Sequence, residues 1–508
     1  MVYALSAAYL VHQASGAHNR LLAVLKKPID YFEVNVSKSP KKPVSMGFLG
    51  LLSVVSAWQS ERLFMTTDQQ AYPETTRLPK EFVDRLTNPF VRFLHIESAS
   101  GAVLLLFTIT ALVLSNSPWA HIFERAWETQ VGLQLGSLEF VRSLREWIND
   151  GLMTLFFFLV ALELKRELVL GELKNPRMAA LSISAALGGM IVPASIYLAL
   201  QAGQPGQHGW GTVMATDTAF VIGCLALLGS RIPQSLRVFM LSLVIVDDIG
   251  AILVVAIGYS SNIVWGPLAL AALGIVIVRA LAMLGFRGFP LYFLVGGAVW
   301  LAVDASGIHA TITGVILGLM TPARRWVSDE CLYSILGQVI AHPASGESSM
   351  DTKDRQTLQV AEIATRETLS PVERLEIALH PWVGFVIMPL FAFANAGLPL
   401  ALSDLGSSVT VAVFSGLVLG KPIGVLLFSW LAVRSNIAVR PPELSWRLLA
   451  GGSLLAGIGF TMALLIANMA FNESLIESAK LGIFLASGFS AVAGLSLLIW
   501  LPARGTTP

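Results

Sequence analysis

Charge is what this chain has least of for its size: Asp, Glu, Lys and Arg make up 13% of its 508 residues, 55% are hydrophobic, and the mean hydropathy is +0.68. Soluble domains carry about a quarter of their residues charged, and a single soluble core stops growing well below this length. A soluble fold is therefore excluded, and a lipid bilayer is the expected surrounding. Basic and acidic residues number 34 and 33, with a net charge of +1. No dense basic stretch exists to meet phosphates, so nucleic acid is not an expected partner. Only two cysteines occur, Cys224 in an apolar run and Cys331 in a polar one. They suggest neither a disulfide framework nor a zinc site. Alternation over about ten residues, the mark of a transmembrane barrel strand, is also missing from the long apolar runs.

What is present is a series of apolar runs near the ~20 residues needed to cross the hydrocarbon core. Twelve can be placed, at 99–117, 151–164, 178–200, 211–229, 238–259, 263–284, 289–303, 306–320, 380–397, 409–432, 448–471 and 481–501. The expected fold is thus an all-α polytopic membrane protein with twelve transmembrane helices. Lys and Arg stay on the cytoplasmic side of short loops. If the first span runs outward, 18 of them beyond residue 98 fall inside, and only Arg125, Arg142, Arg145 and Lys480 fall outside. Both termini are then cytoplasmic. Residues 1–88, with Lys26, Lys27, Lys38, Lys41 and Lys42, read as a poorly ordered cytoplasmic extension, and residues 89–508 as the membrane domain. Within the extension, Gly47 to Trp58 has the length of a signal-peptide core, but cleavage after it contradicts the derived orientation. It is read as a weak amphipathic segment, or as lying near a true start at Met46 or Met65. A second polar stretch runs from Thr321 to Ser370 and ends in Ser370-Pro371-Val372-Glu373, a helix-start pattern with Pro at the first position. Between the first two spans, Val131 to Phe140 alternates in polarity around Gly136 and Ser137, and fits either an outer hairpin or an irregular loop.

Ionisable groups inside spans cost about 3 kcal/mol each and are functional by default, and four stand out: Asp217, Asp247, Asp248 and Lys421. Asp247 and Asp248 are adjacent, so on a helix they point about 100° apart and can face one cavity without sharing one spot. Two such carboxylates cannot both ionise cheaply, and hold either protons or a cation. Lys421, in Gly420-Lys421-Pro422, needs a counter-ion, and the Asp pair is its natural partner. Three carboxylates against one ammonium leave net negative charge, and oxygen ligands without thiolates favour a hard cation. Asp217 lies in Met214-Ala215-Thr216-Asp217-Thr218-Ala219, flanked by Gly211 and Gly223, and marks an expected helix break. Gly451-Gly452 through Gly457-Ile458-Gly459-Phe460-Thr461 marks a second one. Paired interruptions point to a midplane site between inverted repeats, although such glycines also serve plain helix packing. His309 and His380 lie near span ends, and each fits either a titrating or a packed role. Glu163, Lys165, Arg166 and Glu167 close the second span, as an interfacial cluster or as a charged funnel mouth.

From about Ile96 to Leu501 the chain resembles the NhaA family of bacterial sodium/proton antiporters. The resemblance rests on eight segments in order: Trp147-Ile148-Asn149-Asp150, Leu162-Glu163-Leu164-Lys165-Arg166-Glu167-Leu168, Ala215-Thr216-Asp217, Val246-Asp247-Asp248-Ile249-Gly250-Ala251, Ser306-Gly307-Ile308-His309-Ala310-Thr311, Phe391-Ala392-Phe393-Ala394-Asn395-Ala396-Gly397, Gly420-Lys421-Pro422, and Gly457-Ile458-Gly459-Phe460-Thr461-Met462. It implies twelve helices in the inner membrane and an inverted-repeat antiporter fold with two interrupted crossing helices. It also implies electrogenic exchange of two external protons for one internal sodium or lithium ion, with no cofactor beyond the transported ions. By the same resemblance Asp248 is the main ion-binding carboxylate and Asp247 pairs with Lys421. Thr216 and Asp217 lie at the crossing, and Asp150 matches a further acidic position. Glu163, Glu167, Glu376 and His380 match positions associated with pH activation, and His309 one linked to the pH profile. The stretch from Val131 to Phe140 matches a dimer-forming hairpin, which implies a homodimer. Two features depart from the family pattern: the extension of residues 1–88 and the length of the Thr321 to Ser370 segment.

Two rival functions use similar residues. An intramembrane aspartyl protease needs two carboxylates on facing helices that share a proton, whereas Asp247 and Asp248 are neighbours on one helix. A sodium-coupled solute symporter of related fold needs a larger organic pocket, against which Lys421 beside the Asp pair argues.

Overall fold

The computed structural model describes residues 97–135, 138–171, 174–259, 263–286, 288–341, 352–399 and 402–501. The extension of residues 1–88 and the expected turn at Gly136 and Ser137 lie outside the described residues. Apolar runs become helices because a bilayer offers no water to pair backbone N–H and C=O groups. In chain order the elements are α1 (Glu97–Ser115), α2 (Ala120–Glu128), β1 (Gln130–Leu135), β2 (Leu138–Ser143), α3 (Met153–Val169), α4 (Pro176–Leu200), α5 (Thr218–Leu227), α6 (Gln234–Gly258), α7 (Trp265–Met283), α8 (Phe289–Ala305) and α9 (Ile312–Met320). There follow α10 (Asp329–Ala341), α11 (Thr352–Glu367), α12 (Pro371–Trp382), α13 (Met388–Asn395), α14 (Ser408–Ser415), α15 (Lys421–Arg434), α16 (Trp446–Leu455), α17 (Phe460–Ala470) and α18 (Glu473–Trp500). Wider π-turns join α12 to α13 (Val383–Ile387) and α14 to α15 (Gly416–Gly420), and another, Trp147–Leu152, leads into α3.

Among the described residues, seven helices are long and apolar enough to cross a membrane, or ten if each bent pair counts as one span. The other two expected positions hold shorter helices, α8 with 17 residues and α9 with nine. α9 is short because Ser306 to Thr311 forms a turn, with Gly307 at φ +82°, where the apolar run suggests continuous helix. The ninth span starts at Pro371 instead of 380. Ser370 caps it, accepting from the Glu373 amide at 3.3 Å while Glu373 Oε2 accepts the Ser370 amide at 2.9 Å. Its first turn then buries Val372 and Leu375 against Leu162 and Ala323. The twelfth span likewise starts earlier, at Glu473. The polar stretch after residue 321 is not plain loop, since α10 and α11 lie within it.

The hairpin forms: β1 and β2 pair antiparallel, with Gln130 opposite Ser143 and Leu135 opposite Leu138. It is the only sheet among the described residues. The most extensive packing is of α4 on α15 and α6, α18 on α14 and α16, α3 on α9, α7 on α8, and α1 on both α13 and α5. The α4–α15 contact is backbone to backbone: a Cβ on Gly188 would stand 2.2 Å from the Gly424 oxygen, and one on Gly424 would stand 2.0 Å from the Gly188 oxygen. Only glycine at both positions allows this approach, and it brings Lys421, one turn before Gly424, over Gly189.

Candidate ion-binding site

Both expected breaks are present. A 3-10 segment, Pro205–Val213, is bent by 44° from α5 across Met214 to Asp217, and α16 is bent by 49° from α17 across Ala456 to Gly459. The two broken stretches touch, with the Asp217 amide donating to the Ile458 carbonyl at 2.7 Å. Half-helices leave unpaired N–H groups at one end and C=O groups at the other, with partial charges to match. Asp217 serves two of the N-terminal ends. Its Oδ1 accepts the Phe220 amide of α5 at 3.1 Å, and its Oδ2 accepts the Thr461 amide of α17 at 2.9 Å together with the Thr461 hydroxyl.

At the C-terminal end of α16 the charges are reversed. Thr216 Oγ1 donates to the Ala456 carbonyl at 2.9 Å and accepts from Lys421 Nζ at 2.8 Å. Lys421 Nζ also lies 2.5 Å from Asp247 Oδ2. On the next residue of α6, Asp248 Oδ2 accepts from Thr218 Oγ1 at 2.7 Å. All five expected residues, Thr216, Asp217, Asp247, Asp248 and Lys421, are at most 1% exposed. The remaining oxygens, Asp247 Oδ1 and Asp248 Oδ1, have no hydrogen-bond partner among the described residues. Two acceptor oxygens on adjacent residues, one carboxylate held by an ammonium and the other by a hydroxyl, can exchange a small hard cation for protons. No group of three or more His, Cys, Asp or Glu suited to a resident metal occurs among the described residues.

The other candidates lie apart from this centre. At the end of the molecule bearing Lys165, Arg166 and Lys174, Arg166 pairs with Glu376 and lies 3.5 Å from Glu167. Lys165 Nζ donates to the Leu319 carbonyl at 2.6 Å. Glu163 is half-buried on the same stretch of α3, and exposed His380 lies four residues beyond Glu376 on α12. A polar cleft of about 500 Å³ opens between the ends of α3, α4 and α6, lined by Glu167, Lys174, Asn175 and Ser242. His309 does not join this cluster. It is half-buried in the turn before α9, with Nε2 3.2 Å from the Tyr259 carbonyl at the far end of α6. Asp150 is at that far end too, 2.6 Å from Arg142 Nη1, and Arg142 also binds Asp304. Sequence reasoning did not assign Thr218, Thr461 or the Ala456 carbonyl to the site. The polar run around Asp217 was the only signal for the first, and the interrupted Gly457 to Thr461 stretch the only one for the others, whose partners lie 240 or more residues away.

The family model described as Na+/H+ antiporter 1 matches residues 91–498. Over 444 residues the chain is 62% identical to "Na(+)/H(+) antiporter NhaA 3" of Acidiphilium cryptum (strain JF-5), covering 87% of this chain and 97% of that protein. It is 59% identical to "Na(+)/H(+) antiporter NhaA" of Rhizobium meliloti (strain 1021) over 84% of this chain and 98% of that one. It is 57% identical to "Na(+)/H(+) antiporter NhaA 2" of Vibrio vulnificus (strain CMCP6) over 84% and 96%.

Proposed function

This chain belongs to the Na+/H+ antiporter family and is a multi-pass membrane transporter, not an enzyme, exchanging sodium for protons; on that premise we propose that Asp248 and Asp247 are the shared binding site of the two ions. The observation that carries the reading is the pair of buried carboxylates on α6, each with one oxygen unpartnered among the described residues, beside the buried Lys421. Sodium or lithium reaches the pair through the polar cleft, which faces the cytoplasm by the placement of Lys and Arg. The cation binds Asp248 Oδ1 and Asp247 Oδ1 and displaces protons. The two halves of the inverted repeat then rock about the crossing, the cation leaves outside, and protons reload the carboxylates. Because ion and proton occupy the same oxygens, exchange is coupled without a second site. Lys421 balances Asp247 when the cation is absent. Thr216 and Asp217 hold the broken ends together so that the site keeps its shape while the helices move.

Two protons inward per cation outward carries one net charge, so the membrane potential contributes about 2.3 kcal/mol per 100 mV. The protein acts in the bacterial inner membrane with both termini cytoplasmic, and supports sodium and pH homeostasis. Glu163, Glu167, Glu376 and His380, gathered around Arg166 at the cytoplasmic mouth, set the pH dependence of entry; His309 shapes it separately, from the outer end of α6. Hairpins β1–β2 of two copies pair to form a homodimer.

The test is the collapse of a preformed pH gradient in everted membrane vesicles on adding sodium, lithium or potassium. Wild type responds to sodium and lithium but not potassium, and Asp248→Asn, with the protein inserted, does not respond. Normal sodium-driven proton movement in Asp248→Asn would overturn the site assignment.

A further inference from the structure

Asn395, the last residue of α13, is 1% exposed and lies at the end of the helices opposite the polar cleft. Its Oδ1 accepts from Asn468 Nδ2 at 2.8 Å and Asn149 Nδ2 at 3.3 Å. Its Nδ2 donates to Asn149 Oδ1 at 2.7 Å and the Phe391 carbonyl at 3.0 Å. All four hydrogen-bonding positions of one buried amide are thus used. Asn149 belongs to the π-turn before α3 and Asn468 to α17, so the triad joins α3 and α13 to the second broken helix. Plain packing does not call for this arrangement, since apolar side chains fill such an interface without any polar group to desolvate. A buried amide with all four positions used, shared between Asn149 and Asn468, instead fixes one relative position of the elements it joins.

Two further observations tie the triad to transport. Asn468 lies seven residues, about 10 Å, beyond Thr461 on α17, whose amide and hydroxyl hold Asp217. A movement of α17 that accompanies ion exchange is therefore transmitted to Asn468. Next to the triad on α13, Phe393 packs edge-on against Phe107, Phe123 and Trp127 with ring centroids 5.2–5.6 Å apart. That end carries a cluster of aromatic rings, while the basic end opens in the polar cleft.

We propose that Asn149, Asn395 and Asn468 form the outer latch of the alternating-access cycle, made while the site faces the cytoplasm and broken each time it opens outward. The latch rests on the antiporter reading and adds to it the interaction that sets the balance between the two facing states. Breaking it leaves the ion site untouched and shifts that balance outward. The test compares sodium-driven proton movement in right-side-out and everted vesicles for wild type, Asn468→Leu and Asn468→Ser. In Asn468→Leu the apparent affinity for external sodium tightens roughly three- to fivefold, the equivalent of one or two membrane hydrogen bonds, and that for cytoplasmic sodium weakens by no more than the same factor. Asn468→Ser, which keeps a short donor, falls between it and wild type, and carries the test alone if Asn468→Leu does not insert. Equal changes from both sides, or no change in either variant, overturn the latch while wild-type exchange stays intact. A wild type inert in both orientations overturns the antiporter reading itself, and the latch with it.

Discussion

Replacing Lys421 by methionine keeps most of the side-chain volume and removes one charge. The ammonium lost is 2.5 Å from Asp247 Oδ2 and 2.8 Å from Thr216 Oγ1, and Asp247 is 0% exposed with its other oxygen unpartnered among the described residues. Removing one member of a buried pair costs about 3–5 kcal/mol, because the partner's charge is left uncompensated. That is a large share of the ~5–15 kcal/mol that separates a typical folded domain from its unfolded chain. Thermal unfolding of the detergent-solubilised protein measures it. Adding Asp247→Asn to Lys421→Met removes the second charge and restores most of the lost stability, and the four proteins together form a double-mutant cycle. A double variant no more stable than Lys421→Met would refute the reasoning.

Two further outcomes are expected. Thr461→Val removes the hydroxyl that binds Asp217 Oδ2 but keeps the amide bond, so it costs about 1–2 kcal/mol in thermal unfolding and slows exchange without abolishing it; an unchanged midpoint would mean that the hydroxyl adds nothing to the crossing. Gly424→Ala places a methyl group 2.0 Å from the Gly188 oxygen, which forces α4 and α15 apart and moves Lys421, so exchange falls steeply even though no charged group is altered; wild-type exchange in purified Gly424→Ala would show that this contact does not position Lys421.

The centre of the site was legible because its residues break the rule of the region they occupy. Asp217, Asp247, Asp248 and Lys421 stand out in apolar runs, and the glycines around 457 and 459 mark a helix that breaks. What hydropathy could not reveal was polar helix and distant pairing. Glu373, Arg374 and Glu376 lower the apolar score of α12, so hydropathy alone begins the ninth span near 380, while the Ser370-Pro371 helix-start pattern begins it at Pro371. The Ser306 to Thr311 turn scores as apolar yet is not helical, and this shortens the eighth span. Grouping His309 with Glu376 and His380 by role hid their separation, since position along a chain carries no depth in the membrane until the helices are assembled. Asn395 is a single amide in an apolar run, and its meaning depends on Asn149 and Asn468, 246 residues before it and 73 after it.

The shared carboxylate at the crossing bears on how the chain is made. Asp217 reaches across 244 residues to Thr461. At about 5–20 residues per second, translation separates the two by roughly ten to fifty seconds. Throughout that interval the α5 half-helix has its capping carboxylate but not its second set of donors, and Thr216 awaits the Ala456 carbonyl. The fourth span is thus an unfinished joint until nearly the whole polypeptide has been synthesised. Nascent chains arrested before α16 hold Thr216 and Asp217 in an apolar span without the partners that later satisfy them.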